Sequence, residues 1–139
     1  MKWSINNKFT YPKSTRSIYN GSRHYLVDGE RLPSVTNIIS MTKKTEEKEA
    51  LEKWKRENKD SEIILKESSN RGTLMHGYLS EMLMGKMNGE LIEEVNLPKK
   101  MAEMIISHGL NDYVKEVYAS EECVYSLKYK YAGTMDALI

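Results

Sequence analysis

Apolar residues recur along this chain with a helical period through its middle and with a period of two near its end. The N-terminal alternation is weak: Trp3, Ile5, Phe9 and Tyr11 fall within residues 1–12 and predict a short strand. HYLVDGERLPS, at 24–34, predicts a strand, a turn at Asp28-Gly29 and a second extended piece. Pro33 keeps the residue before it extended, and Ser34 is placed to cap a turn carrying Val35, Ile38 and Ile39. The segment 45–59, TEEKEALEKWKRENK, predicts a largely polar helix. Thr45 can cap it, Lys48–Glu52 and Glu49–Lys53 lie one turn apart, and Leu51 and Trp54 are its apolar anchors. A long helix is expected from Asp60-Ser61 to about Met84, with Ile64, Leu65, Leu74, Leu79, Met82 and Leu83 as core candidates. Gly85 and Gly89 bracket a loop. Pro98 fits the first turn of another helix over 98–118 that turns Met101, Met104, Ile105, Val114 and Val117 inward. The period then changes: ECVYSLKYK (122–130) and YAGTMDALI (131–139) read as adjacent strands joined near Lys130. A β hairpin, three or four helices and strands arriving last make an α/β chain of the α+β type.

At 139 residues the chain suits a single domain spanning 1–139 with a real core. A net charge of +1 gives no global basic field, which argues against a histone-like binder but leaves room for a local basic groove. Cys123 is the only cysteine, so no internal disulfide can form, and a reducing, cytoplasmic setting is the natural expectation. Residues KWSINNKF after Met1 lack a signal-peptide core, and no apolar run approaches the ~20 residues of a membrane span.

Candidate chemistry centres on RGTLMHGYLSEML, residues 71–83. A lone histidine such as His76 is most often a surface or satisfied core residue. Gly72 costs ~1 kcal/mol in a helix interior relative to alanine, so close packing against another backbone or a phosphate is expected to repay it. Arg71 and Thr73 flank it with a charge and a hydroxyl. Asp136 interrupts an apolar strand, where a carboxylate marks a wet end or a metal ligand. Gly133 before it permits close approach of a ligand or chain. His24, His76, His108 and Cys123 lack the spacing of structural zinc, and no P-loop, GxGxxG or G-x-S-x-G is present. The E-x-K patterns of 45–59, such as Glu57-x-Lys59, fall on a helix and read as a solvated face.

Four segments occur together in order: LPSVTNIIS, LEKWKRE, RGTLMHGYLSE and ECVYS…YAGTMDALI. In this order they resemble the PD-(D/E)xK nuclease superfamily, and within it the RecB-like exonucleases that include the mitochondrial genome maintenance exonuclease and its phage relatives. The resemblance runs from about residue 24 onward. It implies a restriction-endonuclease-like mixed sheet flanked by helices and metal-dependent hydrolysis of DNA phosphodiesters. Asp136 matches the strand aspartate, and His76 matches the extra metal ligand on the preceding helix. Arg71 and Thr73 match helix residues near the substrate phosphate. Oxygen ligands suit Mg²⁺ and an imidazole shifts preference toward Mn²⁺. Trp54, Lys55 and Tyr78 are candidates for tracking single-stranded DNA, or DNA with free ends, by stacking and charge. A core anchor is the plainer reading of Trp54.

Two departures qualify the resemblance. The family's His-x₃-Glu is not met: Ser80 stands four residues after His76, and Glu81, one later, is rotated by about 100° out of the site. Glu122 is matched in position without an assigned role. The chain ends at Ile139, before any strand that supplies the D/E-x-K half, so it is expected to be a truncated or split N-terminal portion, inactive alone. YAGTMDALI would then be an edge strand prone to self-association or to pairing with a missing C-terminal half. The implied setting is DNA replication, recombination or repair in a bacterial or phage-infected cell. The alternatives are a non-catalytic DNA-binding or regulatory fragment of the same fold, and a helical interaction protein in which His76 and Asp136 are incidental.

Overall fold

The computed structural model describes residues 4–85 and 96–139; Trp3 and Gly89 lie outside the described residues. The element order is β1 (Ser4–Ile5), β2 (Ser14–Tyr19), β3 (Ser22–Val27), β4 (Glu30–Pro33), α1 (Val35–Thr42), α2 (Thr45–Glu57), α3 (Ser61–Leu83), α4 (Leu97–Ile105), a π-helical turn (Ile106–Leu110), β5 (Glu116–Val117), β6 (Ala119–Ser126) and β7 (Tyr131–Leu138). This is an α+β fold whose strands form small sheets: β1 with β5, β2-β3-β4, and β6 with β7. Among the described residues no helix is long and apolar enough to cross a membrane. The chain divides into two compact units, one of residues up to Phe9, Asp60–Glu121 and Asp136–Ile139, the other of Thr10–Lys59 and Glu122–Met135.

The second unit is led by the β2-β3-β4 meander. The expected turn at Asp28-Gly29 is present, with both residues left-handed at φ 49° and 80°. The strand that precedes β3, β2, has no counterpart in the sequence reading. All six of its residues are exposed, so it carries no apolar alternation to detect. Its signal is the turn at Asn20-Gly21, left-handed at φ 50° and 74°, because two-residue hairpin loops require positive φ at both positions.

A small core gathers Tyr25, Val27, Leu32, Cys123 and Ala132, and the Tyr25 hydroxyl shares a 3.0 Å hydrogen bond with Thr134 Oγ1. Ser34 is buried with its polar groups engaged. Its N–H donates to the Arg23 carbonyl (3.1 Å), its Oγ accepts from Thr36 N (3.3 Å), and its carbonyl accepts from Asn37 and Ile38. The predicted cap of α1 is therefore real, and Ser34 also bridges to Ala132 in parallel. The helix it starts buries none of its residues, and Ile38 and Ile39 are exposed rather than core.

At α2 the cap position is Lys44, without a side-chain cap, and Thr45 is already helical. The ion pairs also fall elsewhere than expected: Lys55–Glu52 at 2.8 Å and Lys53–Glu57 at 3.8 Å. The Lys55 hydrogen bond, followed by its charge, holds the Glu52 carboxyl below its usual range. Leu51 is exposed and Trp54 half-buried.

In the first unit α3 packs on α4, and Leu83, Val114 and Val117 form a core with Leu79, Met84, Leu110 and Ala137 against it. Of the core expected along α3, only its C-terminal end is covered; Ile64, Leu65 and Leu74 are exposed. Periodicity tells which residues share a face, not whether another element lies over it.

The helix expected over 98–118 starts as predicted, with Pro98 in its first turn and Asn96 capping, but ends at Ile105. After the π-helical turn comes a turn over residues 111–113, and Val117 lies in β5. Val114 and Val117 are buried as expected, their helical spacing imitated by a turn followed by a strand. Within β5, Glu116 Oε2 accepts from the Tyr118 hydroxyl (2.8 Å) and from Asn6 Nδ2 (3.2 Å).

Two measurements test this packing. A Cβ built on Gly133 would lie 3.0 Å from Val35 Cγ1, so the glycine admits Val35. Gly133→Val is expected to cost about 1–3 kcal/mol by overpacking, with part regained when Val35→Ala is added, as read by urea denaturation. Tyr118 titrates above the ordinary tyrosine range, because its protonated hydroxyl donates to Glu116 and ionisation would set two anions together. Glu116→Gln is expected to lower that titration toward the ordinary value, followed by the Tyr118 ring-carbon shift in NMR.

A candidate metal centre of His76, Glu121 and Asp136

Three residues of the first unit bring titratable groups together: His76 on α3, Glu121 on β6 and Asp136 on β7. His76 Nδ1 lies 3.1 Å from Asp136 Oδ1 and 3.8 Å from Glu121 Oε1. The three ligand atoms all fall within 4.8 Å of one another.

Serine hydroxyls tie the scaffold. Ser120 Oγ donates to the Asp136 carbonyl at 2.9 Å and lies 2.9 Å from Ser80 Oγ, so one side chain holds β6 to both β7 and α3. Ser80, which stands where the resemblance led one to expect glutamate, is one turn after His76 and serves this tie. Glu81 is exposed and takes no part in the cluster.

Glu121 was not singled out by sequence reading, which noted its neighbour Glu122. In a regular strand Glu121 would share a side with Ala119 and Cys123, both buried. Its backbone is instead left-handed, at φ 56°, and the carboxylate is exposed beside His76. That conformation costs a non-glycine residue roughly 1–2 kcal/mol. The adjacent pair Glu121-Glu122 is visible in the sequence, but which member turns toward the histidine is decided by this backbone break.

The donor set fits a hard or borderline divalent ion. One imidazole nitrogen and two carboxylates carry a formal charge of −2 when the histidine is neutral, and a cation offsets their repulsion. With their ligand atoms within 4.8 Å of one another, His76, Glu121 and Asp136 are the residues that would hold such an ion. Asp136 is 70% exposed, which leaves the cluster open to water and to a further ligand.

The other predicted residues are placed as follows. Thr73 lies one turn before His76, and its hydroxyl donates to the Ser69 carbonyl (3.0 Å). Arg71 is exposed, and its Nη2 donates weakly to Ser68 Oγ (3.5 Å). Arg71 stands five positions before His76, which puts it on a different face of the helix. Tyr78 is half-buried and its hydroxyl accepts from Asn96. Trp54 and Lys55 belong to α2 in the second unit. Gly72 meets nothing within 4 Å of a built Cβ, so the close packing expected to repay it is absent among the described residues. A separate open cleft of about 420 Å³, lined by Tyr113, Val114, Lys115, Glu116, Tyr118 and Ile139, includes none of the three cluster residues.

The strain at Glu121 is testable by two truncations that remove the same carboxylate. Glu121→Gly is expected to be more stable than Glu121→Ala by about 1 kcal/mol in urea denaturation, because only glycine takes a left-handed backbone freely. Equal stabilities would mean that the backbone there is regular. Comparison with known proteins returned no matching family model, curated protein or solved structure.

Proposed function

We propose that this protein is a metal-dependent DNA hydrolase of the RecB-like exonuclease type, in which His76, Glu121 and Asp136 hold Mg²⁺ or Mn²⁺. The observation that carries the reading is the meeting of His76 and Asp136. Sixty positions apart, they were matched to one metal site from sequence motifs, and their ligand atoms lie 3.1 Å apart. Bound there, the ion would supply Lewis-acid chemistry, acidifying water and neutralising charge on a phosphate. The chain's own groups divide the remaining work. Asp136 and Glu121 offer oxygen donors, and the His76 imidazole favours Mn²⁺ over Mg²⁺. Thr73, on the same helix one turn away, is the nearer of the two proposed phosphate contacts; Arg71 faces elsewhere on α3.

A second reading, a non-catalytic DNA-binding or regulatory protein of the same fold, is favoured by one specific feature. The E-x-K triplets Glu46–Lys48 and Glu57–Lys59 fall on or at the end of α2, not on a strand beside Asp136. On a helix the acid and the lysine two residues later point to different sides, so neither triplet has the strand arrangement of D/E-x-K.

Titration of the intact chain with Mn²⁺, followed by calorimetry and electron paramagnetic resonance, separates the readings. One bound ion is expected, with His76→Ala and Asp136→Asn each weakening it by at least about tenfold. Metal-dependent release of nucleotides from end-labelled single-stranded DNA, lost in Asp136→Asn, identifies the hydrolase. Salt-sensitive DNA binding without ion binding favours the second reading. Wild-type protein that binds no ion overturns the metal site.

A further inference from the structure

The outward face of the β2-β3-β4 meander presents a second kind of chemistry. Residues opposite one another in antiparallel register share a side of the sheet. The pairs Thr15↔Leu26, Ser17↔His24 and Leu26↔Arg31 therefore put Thr15, Ser17, His24, Leu26 and Arg31 on one face, with Tyr19 two residues beyond Ser17. Tyr25, Val27 and Leu32 lie buried on the other face, while Arg16 and Ile18 of β2 on that side are exposed.

The outward face carries a ring-and-cation cluster. The Arg31 guanidinium carbon lies 3.9 Å from the centre of the Tyr19 ring, and the His24 ring meets the same ring edge-on at 5.7 Å. Tyr19 and Leu26 remain nearly half exposed. No acidic side chain of the three strands shares this face: Glu30 pairs with Val27 on the other side, and its carboxylate is taken by Lys130 at 2.6 Å. The face is thus basic and aromatic with no internal anion to neutralise it.

We propose that this sheet face holds single-stranded DNA, with bases stacking on Tyr19 and His24 and a phosphate against Arg31. A half-exposed tyrosine ring with a guanidinium over it and a half-buried imidazole at its edge suits unpaired bases, whose faces are free, better than a duplex, whose bases are already stacked. The choice of DNA rests on the hydrolase reading above; the stacking chemistry rests on the sheet alone.

The test is fluorescence anisotropy of the full chain with a labelled twelve-residue oligothymidylate, in EDTA so that the metal cluster is silent. Salt-sensitive binding is expected. Tyr19→Leu is expected to weaken it about tenfold, while Tyr19→Phe retains it. Arg31→Gln is expected to weaken it and to make the salt slope shallower by about 0.7. Ser17→Glu removes no contact, since Ser17 is exposed on this face, and its added charge is expected to reduce binding in a folded protein. Lys66→Gln, on the exposed part of α3, is expected to bind as wild type.

Any of several results would overturn the proposal: no binding at low salt, full binding by both Tyr19→Leu and Ser17→Glu, or an equal loss in Lys66→Gln. Equal competition by duplex DNA or by a polyglutamate peptide would do the same, and tighter binding of oligouridylate would overturn the choice of DNA. Mn²⁺ titration of the same variants keeps the two sites apart. Lost DNA binding with unchanged Mn²⁺ affinity assigns the defect to the sheet, whereas wild-type protein that binds DNA but no Mn²⁺ would remove the hydrolase reading and leave the sheet face standing.

Discussion

The pairing of β6 with β7 sets two carboxylates on neighbouring strands, Glu121 on one and Asp136 on the other, and the metal centre depends on it. The pairing is reinforced by a side chain. Ser120 donates to the backbone carbonyl of Asp136 and stands beside Ser80 of α3, so the hydroxyl that joins the strands also registers the helix bearing His76. The single hydroxyl hydrogen of Ser120 has two acceptors within 2.9 Å, the Asp136 carbonyl and Ser80 Oγ.

The site also illustrates a conflict between local regularity and chemistry. Strand alternation would direct Glu121 to the side of Ala119 and Cys123, where an unpaired carboxylate would be costly to desolvate. A left-handed residue resolves the conflict by turning the acid out toward His76. Strain of this kind tends to accumulate where geometry serves a ligand, and here it coincides with the one His/Glu/Asp cluster found among the described residues. The same groups have a simpler role available, since a protonated His76 between two carboxylates is an ion-pair cluster. Its exposure would make that arrangement worth little to stability, as surface pairs usually are.

Much of the element order was legible from short-range signals with direct physical causes. Ser34 caps a helix because its oxygen reaches an orphan N–H, Pro98 opens another because it has no N–H to lose, and Asp28-Gly29 turns because glycine tolerates positive φ. The strands at the end were read from period two, and both are present. The misreadings share a cause as well. Strand β2 buries nothing, so it leaves no alternation, although Asn20-Gly21 marks its end. Val114 and Val117 keep helical spacing while lying in a turn and a strand. Ile64, Leu65 and Leu74 keep helical spacing on α3 yet are exposed.

At the candidate site the sequence by itself determined which chemistry was available: a histidine inside a helix, an aspartate inside an apolar strand, and an acidic pair between them. Those identities follow from residue type and local period, which are properties of neighbouring positions. Only the tertiary structure decided which groups meet. It placed His76 beside Asp136, chose Glu121 over Glu122, left Glu81 in solvent and gave Ser80 a docking role in place of a ligand's. It also gathered Tyr19, His24 and Arg31 onto one face of the meander. Such choices depend on strand register and on single backbone dihedrals, and these are set by contacts between residues far apart in the chain, which no local pattern encodes.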